Sequence, residues 1–392
     1  MSRGRLFASL SSMVFLVNFA RVMFAPLLEP LKHEFLVSNA TVGLIATLVW
    51  LGSALPRIPT GYLLTRVERH RAVLGAGIVL TAAAGFTAFA PSVPLLAVGA
   101  FTMGVSSAVY FIAANPLVSE LYPDRVGRAI GIHGTASQLA AAIAPVFVGV
   151  MLTVVGWRGV LKLLAAVAAA VTVVFFVVAR RTDLPDAGAT DREFVTAFRR
   201  QWPIILSGVA IIGATGFVWN GLFNFYPSYL HQTKGLSPET ARTLLTVVFA
   251  AGVPAFWFTG RLADRLPHVP LMLSILGGFI VCLLGLTAAQ GLAAIVAVSL
   301  ALGYVIHSLF PALDTYLLDS LPDENRASAY AMYSGLAMIG QAGGSSVVGA
   351  LLDAGYLFDT VFRTFAVGLL AILAVLFVLH RANRLPATAV TS

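Results

Sequence analysis

The sequence predicts an all-α membrane protein with twelve transmembrane helices, arranged as two six-helix parallel repeats. Three observations predict this fold class: the composition, the number of apolar segments and an internal repeat. Of the 392 residues, 58% are hydrophobic and only 11% are charged, and the mean hydropathy is +0.89. Soluble domains carry about 25% charged residues. A single core cannot bury this much apolar surface, so a bilayer is the expected solvent.

Twelve apolar segments follow one another along the chain. Most have about the 20 residues that a membrane-spanning helix needs. Proline and glycine interrupt several of them, which membrane helices tolerate when neighbouring groups satisfy the backbone. The predicted segments are 6–29, 40–64, 72–90, 94–121, 127–154, 158–179, 203–230, 239–263, 269–289, 292–319, 327–352 and 360–380.

The basic residues predict the orientation, because cytoplasmic loops are enriched in Lys and Arg. With the N-terminus inside, most of the 25 basic residues fall on the cytoplasmic side. We therefore expect a multi-pass protein of the cell membrane with both termini in the cytoplasm. Two arginines, Arg21 and Arg57, lie inside predicted helices. Six basic residues fall on the outer side: Lys32, Arg158, Lys162, Lys234, Arg242 and Arg363.

The longest polar stretch divides the chain into two halves. It predicts an N-terminal bundle over 1–180, a cytoplasmic linker over 181–202 and a C-terminal bundle over 203–392. A constant shift of 199 residues aligns the halves, for example Ser38 with Ser237. Two halves in the same orientation are typical of a transporter built from two bundles.

The loops after the second and eighth segments share a pattern, GYLLTRVERHR (61–71) and GRLADRLPHVP (260–270). Both resemble the Gly-x-Leu-x-Asp-Arg loop of the major facilitator superfamily, with Thr65 in place of the acid in the first copy. Alternatively, both loops are only solvated and positively charged. The resemblance implies a gating role for five residues: Gly61, Arg66, Gly260, Asp264 and Arg265.

Arg57 lies in an apolar segment, where a charge costs roughly 2.5–3.5 kcal/mol on insertion scales. The stretch RIPTGYLLTR (57–66) resembles the second helix of nitrate/nitrite porters, and the resemblance implies that Arg57 contacts an anion. Those porters have a second arginine where this chain has Phe256. We therefore retain an anion-facing arginine and do not carry over nitrate.

Arg21 lies in VNFARVMFAPLLEPLKHEF (17–35), which resembles the first helix of the anion:cation symporters. The resemblance implies a cationic contact to the solute, although Ala20 replaces the aspartate of that family. Asn18 precedes Arg21 by one helical turn and can share its face. The guanidinium fork suits carboxylates and other planar oxyanions, because it donates two parallel hydrogen bonds.

The repeat relates further polar positions. The shift pairs Asn115 with Asp314 and Arg21 with Asn220. Asn224 follows Asn220 by one turn. The predicted substrate-binding residues are therefore Arg21, Arg57, Asn18, Asn115, Asn220 and Asn224.

The tenth segment carries the candidate proton carriers. Tyr304, His307, Pro311 and Asp314 are spaced to share one helix face. Asp314 and His307 are ionisable groups that can couple transport to protons. Alternatively, Asp314 neutralises Arg57 in a static pair, and His307 is a hydrogen-bonded structural residue.

The sequence predicts a secondary active transporter that moves a small anionic solute by alternating access, with protons as a candidate coupling ion. The alternative is a drug or metabolite exporter of the same fold, in which the buried arginines are structural. We expect a monomer in contact with membrane lipid, with no cofactor, metal or nucleic-acid partner. An enzyme is not expected, because the sequence has no nucleophile–base pattern, metal-ligand cluster or phosphate-binding loop.

Overall fold

The computed structural model describes residues 2–64, 66–182, 194–263, 265–321 and 326–382, which are almost entirely α-helical and contain no strand. The α-helices are α1 (Ser2–Val22), α2 (Phe24–Phe35), α3 (Asn39–Ala54), α4 (Arg57–Leu63), α5 (Arg69–Ala88), α6 (Val93–Leu121), α7 (Val126–Val154), α8 (Gly156–Ala179), α9 (Phe194–Gln232), α10 (Pro238–Ala263), α11 (His268–Ala288), α12 (Gly291–Ser320), α13 (Arg326–Ala342), α14 (Gly344–Asp353) and α15 (Phe358–Arg381).

Twelve spans in these helices are long and apolar enough to cross a membrane, which confirms the predicted fold class. Three predicted segments are each interrupted, at Met23, at Leu55–Pro56 and at Gly343. Two of the interruptions have proline as their cause. Pro26 and Pro56 lack an N–H, and the proline ring conflicts with the carbonyl four residues earlier.

The chain forms two compact units, residues 1–192 (unit 1) and 193–392 (unit 2). Helix α9 already begins at Phe194, within the stretch 181–202 that the sequence predicts as a linker. Both units show the repeat in their backbone. The Ser38 and Ser237 hydroxyls each accept a hydrogen bond from the backbone N–H three residues later, at 3.3 and 3.2 Å.

Two glycines bring α3 and α6 together in unit 1. A Cβ atom on Gly52 would collide with the backbone carbonyl of Phe101, and one on Gly104 would collide with that of Val49. Only glycine permits so close an approach of two backbones. In unit 2, a Cβ on Gly303 would collide with the carbonyl of Val248 in the same way, so α10 and α12 cross as α3 and α6 do.

Charged groups connect the first and last spans at one end of unit 1. Arg158, at the start of α8, donates to the Glu34 carboxylate at the end of α2, and the Trp157 indole donates to the same group at 2.6 Å. The hydrogen bond from Arg158 is the largest of the influences that hold the pKa of Glu34 below its usual range. We call this group the unit 1 clasp.

Unit 2 has a clasp of reversed sign at the equivalent place. Lys234, beyond the end of α9, lies 3.8 Å from the Asp359 carboxylate at the start of α15. The Tyr229 hydroxyl donates to the same carboxylate at 2.6 Å, and Lys234 donates to the Thr287 carbonyl at 2.9 Å. The acid thus lies in α2, after the first span, in unit 1 and at the start of the last span in unit 2.

Candidate functional site

Arg21 lies in the last turn of α1 and directs its guanidinium toward α3 and α6. Its Nη1 donates to the hydroxyls of Ser53 at 3.1 Å and Ser107 at 3.4 Å. Its Cζ lies 4.4 Å from the centre of the Trp50 ring and 5.6 Å from that of Phe111. Its Nε is enclosed and donates to no described residue. Uncharged groups therefore hold this cation, and no described carboxylate of unit 1 pairs with it.

Arg57 lies close to Arg21, at the start of α4. Its Nε donates to the backbone carbonyl of Ser53 at 3.0 Å. The two guanidinium groups repel each other electrostatically. Ser53 thus contacts both arginines, through its hydroxyl and through its carbonyl. An anion placed against both guanidinium groups would offset this repulsion, which is strong where water is partly excluded.

The helix crossing described above builds this site. Gly52 and Gly104 let α3 and α6 approach, so the Ser53 and Ser107 hydroxyls meet at 3.4 Å. The interruption at Pro56 then starts a new helix with Arg57 as its first residue. The arrangement of the site is therefore a consequence of two glycines and one proline.

The two asparagines predicted for unit 1 lie apart from the arginine pair in their contacts. Asn18 is buried and donates to the backbone carbonyl of Ser137 on α7 at 2.7 Å. The side chain of Asn115 is exposed on α6. Asn18 therefore links helices, whereas Asn115 remains available to a ligand.

The two asparagines predicted for unit 2 meet in a buried group between α9 and α14. The Asn224 amide donates to Asn220 Oδ1 at 2.9 Å and to the Ser345 hydroxyl at 3.0 Å. All three residues are at most 2% exposed. The Asn224 Oδ1 is enclosed and accepts no hydrogen bond from a described residue. The structure brings these predicted residues together, with one acceptor unused.

The two candidate proton carriers on α12 have different neighbours. Asp314 accepts a hydrogen bond from the Tyr330 hydroxyl of α13 at 2.9 Å, and no described cation of unit 2 forms an ion pair with it. His307 is buried instead against Trp219 of α9 and Phe249 of α10, with ring centres at 5.6 and 5.7 Å. The two residues therefore have different neighbours, although their spacing along α12 predicts that they share one face.

The gating loops are described in part. Gly61 is buried in the last turn of α4, and the side chains of Arg66 and Arg265 are exposed. Gly260 lies in α10, whereas Asp264 lies outside the described residues. The gating role of these five residues stays a prediction.

The sequence did not indicate Ser53, Ser107 or Trp50 as site residues. Serine is common in membrane helices and carries no charge that would mark it. A usable signal was present, because Gly52–Ser53 on one helix and Gly104 followed by Ser107 on another suggest a close crossing lined by hydroxyls. Small residues of this kind are enriched where membrane helices meet.

A second buried polar group in unit 1 joins three helices. The Tyr110 hydroxyl lies 2.5 Å from the carbonyl of Leu10 on α1 and 2.9 Å from Nε2 of His133 on α7. Both side chains are at most 2% exposed. This group connects the helix that carries Ser107 with α1, which carries Arg21.

The fold and the site together define a multi-pass membrane protein of two six-helix units, with an arginine pair inside the first. A family model described as Major Facilitator Superfamily matches residues 10–308. The chain belongs to this superfamily of membrane transporters. This confirms the superfamily that the sequence suggested.

The chain is also similar to individual transporters, in sequence or in fold. The chain is 23% identical over 338 residues to a probable sugar efflux transporter of Mannheimia succiniciproducens, covering 85% of this chain and 83% of the relative. It is 27% identical over 153 residues to the probable nitrate transporter NarT of Staphylococcus carnosus, covering 39% of each. The crystal structure of a bacterial homologue of the human lysosomal transporter Spinster shares the fold, with a TM-score of 0.74, 18% identity and coverage of 97% of this chain and 96% of that one.

Proposed function

We propose that this transporter moves a small anionic solute by alternating access and that Arg21 and Arg57 bind the anion. One observation carries the proposal: both guanidinium groups hydrogen-bond to Ser53 and repel each other, and no described carboxylate of unit 1 pairs with Arg21. A guanidinium inside a membrane helix is costly. A transported anion supplies the missing negative charge for part of the cycle.

The proposal is tested by thermal unfolding of the purified protein in the presence of nitrate, formate, acetate and benzoate. A ligand that binds only the folded protein stabilises it by about 2.7 kcal/mol at 100 times its Kd. We expect at least one anion to raise the Tm of the parent and to lose this effect in Arg21→Gln and Arg57→Gln. Arg5→Gln is the matched control, because Arg5 is exposed on the same helix as Arg21.

Transport by reconstituted protein gives the second measurement. Neutralising either arginine of the pair should abolish uptake or release of the stabilising anion, while the variant still inserts and purifies as the parent does. Anion transport that persists in both variants would overturn the proposal.

We further propose that Asp314 carries a coupling proton. Its carboxylate accepts a hydrogen bond from Tyr330, and no described cation of unit 2 forms an ion pair with it. Asp314→Asn should retain exchange of labelled solute at equal concentrations and lose accumulation driven by a pH gradient. Unchanged proton-driven accumulation would exclude this role for Asp314. His307 remains a second candidate carrier in this proposal.

The second candidate function is export of an uncharged metabolite or drug by the same fold. The relative named as a sugar efflux transporter supports it, since that match covers most of both chains. For an exporter of this kind, we expect sugars or lipophilic cations, and no anion, to stabilise the protein. Arg57→Gln should leave the transport of these solutes unchanged. The thermal unfolding series therefore distinguishes the two functions.

The remaining features of the proposal concern the cellular setting. We propose a monomer in the cell membrane with both termini and the stretch 181–202 on the cytoplasmic side, since the basic residues concentrate there. Asp264 and Arg265 would act in gating, with their counterparts in the first loop.

A further inference from the structure

His307 lies in a box of aromatic side chains inside unit 2. Its ring centre is 5.6 Å from that of Trp219, 5.7 Å from Phe249, and 6.3 Å from both Phe256 and Phe310. Three helices, α9, α10 and α12, supply these rings. We call the five residues the His307 box.

Two rings of the box occupy positions that the internal repeat aligns with the arginine site of unit 1. The shift of 199 residues aligns Phe249 with Trp50 and Phe310 with Phe111, the two rings that contact the guanidinium at the end of α1. An equivalent pair of rings therefore contacts a cation in unit 1 and the His307 imidazole in unit 2.

Two of the differences between the repeats remove polar groups from the site of unit 2. Gly252 stands where unit 1 has Ser53, and a Cβ on Gly252 would lie 2.6 Å from Cγ of His307. The glycine thus provides the space that the imidazole fills. Phe256 stands where unit 1 has Arg57, and it is the most exposed residue of the box, at 37%.

The hydrogen bonding of His307 leaves one nitrogen unused. Its Nδ1 lies 2.7 Å from the carbonyl oxygen of Gly303, and a carbonyl can only accept, so Nδ1 carries a hydrogen. In the neutral imidazole the other nitrogen, Nε2, is then an acceptor. No described residue donates to Nε2, although the residue is only 3% exposed.

We propose that the His307 box is a binding site for an uncharged ring that carries an O–H or N–H donor. The aromatic walls contact the ring by offset or edge-to-face packing, and Nε2 of His307 accepts the donor hydrogen. This inference deepens the proposed function and rests on it for the charge of the solute. An organic acid that carries such a ring fits the charge of the proposed solute, whereas an inorganic oxyanion has no ring to place in the box.

The experiment measures Kd by thermal unfolding of the full-length purified protein with four probes: 4-hydroxybenzoate, benzoate, phenol and nitrate. We expect the parent to bind 4-hydroxybenzoate about fivefold more tightly than benzoate, the ratio that one net hydrogen bond provides. His307→Leu should remove this difference and leave the Kd of nitrate unchanged. Phe258→Leu is the control, since Phe258 is an exposed aromatic residue of α10 outside the box.

A second variant keeps the inference testable if His307→Leu does not fold. Gly252→Ala retains the imidazole and displaces it, because the added methyl group meets the ring. It should weaken 4-hydroxybenzoate and phenol together, again without an effect on nitrate.

The outcomes separate this inference from the anion proposal. If the parent and both variants bind 4-hydroxybenzoate and benzoate equally, the box only packs helices and the inference is overturned. If phenol binds through His307 while no anion binds, the box is supported and the anion proposal fails. If the anions lose affinity in Arg57→Gln while phenol loses affinity only in His307→Leu and Gly252→Ala, both proposals are supported.

Discussion

Replacing Ser53 with alanine tests whether the arginine pair acts as one site. The change removes the hydroxyl that Arg21 contacts at 3.1 Å and leaves the backbone carbonyl that Arg57 contacts at 3.0 Å. A hydrogen bond to a charged group contributes about 1.5–3 kcal/mol. The Ser107 hydroxyl remains as an acceptor at 3.4 Å, so we expect a loss near the lower end of this range, about 1.5 kcal/mol, which is roughly tenfold in Kd.

The assay is the Kd of the anion that stabilises the parent, measured by thermal unfolding. Ser106→Ala is the matched control, because Ser106 is equally buried and its hydroxyl donates to the Ala76 carbonyl at 2.8 Å instead. A tenfold loss in Ser53→Ala with an unchanged Kd in Ser106→Ala supports the shared site. Equal Kd values in the two variants would refute the reasoning, since Ser53 would then have no part in anion binding.

Two further predictions concern stability. Because Arg158 holds the pKa of Glu34 down, the stabilisation from their pair is complete above the pKa of an unperturbed glutamate, about 4.3, and is lost as the pH falls through the lower folded value. The pair is partly exposed, so Glu34→Gln should lower the free energy of unfolding by less than about 1 kcal/mol at pH 7. The Tm of this variant should also fall less steeply with decreasing pH than that of the parent. An unchanged dependence of Tm on acid pH would contradict this prediction. Gly104→Ala places a methyl group against the Val49 carbonyl and should cost about 1–3 kcal/mol, whereas Gly75→Ala has open space and should melt as the parent does. Equal Tm values for the two glycine variants would show that the crossing can adjust.

The twelve spans could be predicted because apolar length is a local property of the chain. The contacts of Arg21 could not, because they depend on how closely α3 and α6 approach. Ser53 and Ser107 are 54 positions apart and meet only through the glycine crossing. The interruption at Pro56 was equally hidden, since proline changes the backbone without changing the hydropathy of the segment.

Helical periodicity predicted a shared face for His307 and Asp314, and the structure gives them different neighbours. A face of a long helix contacts one neighbour near one end and another neighbour two turns further on. His307 meets α9 and α10, whereas Asp314 meets Tyr330 of α13. The repeat shift was the more informative signal for this part of the chain, because it aligned the rings around His307 with those around the arginine.

The reversed clasps bear on how two similar halves assemble correctly. The last helix of each unit, α8 in unit 1 and α15 in unit 2, is strongly apolar. Glu34 is complementary to Arg158 but would face a like charge at Asp359, and Lys234 is complementary to Asp359 but would face a like charge at Arg158. Like charges repel more strongly where water is scarce. We therefore expect the opposite polarity of the two clasps to disfavour an exchange of the last helices between the halves.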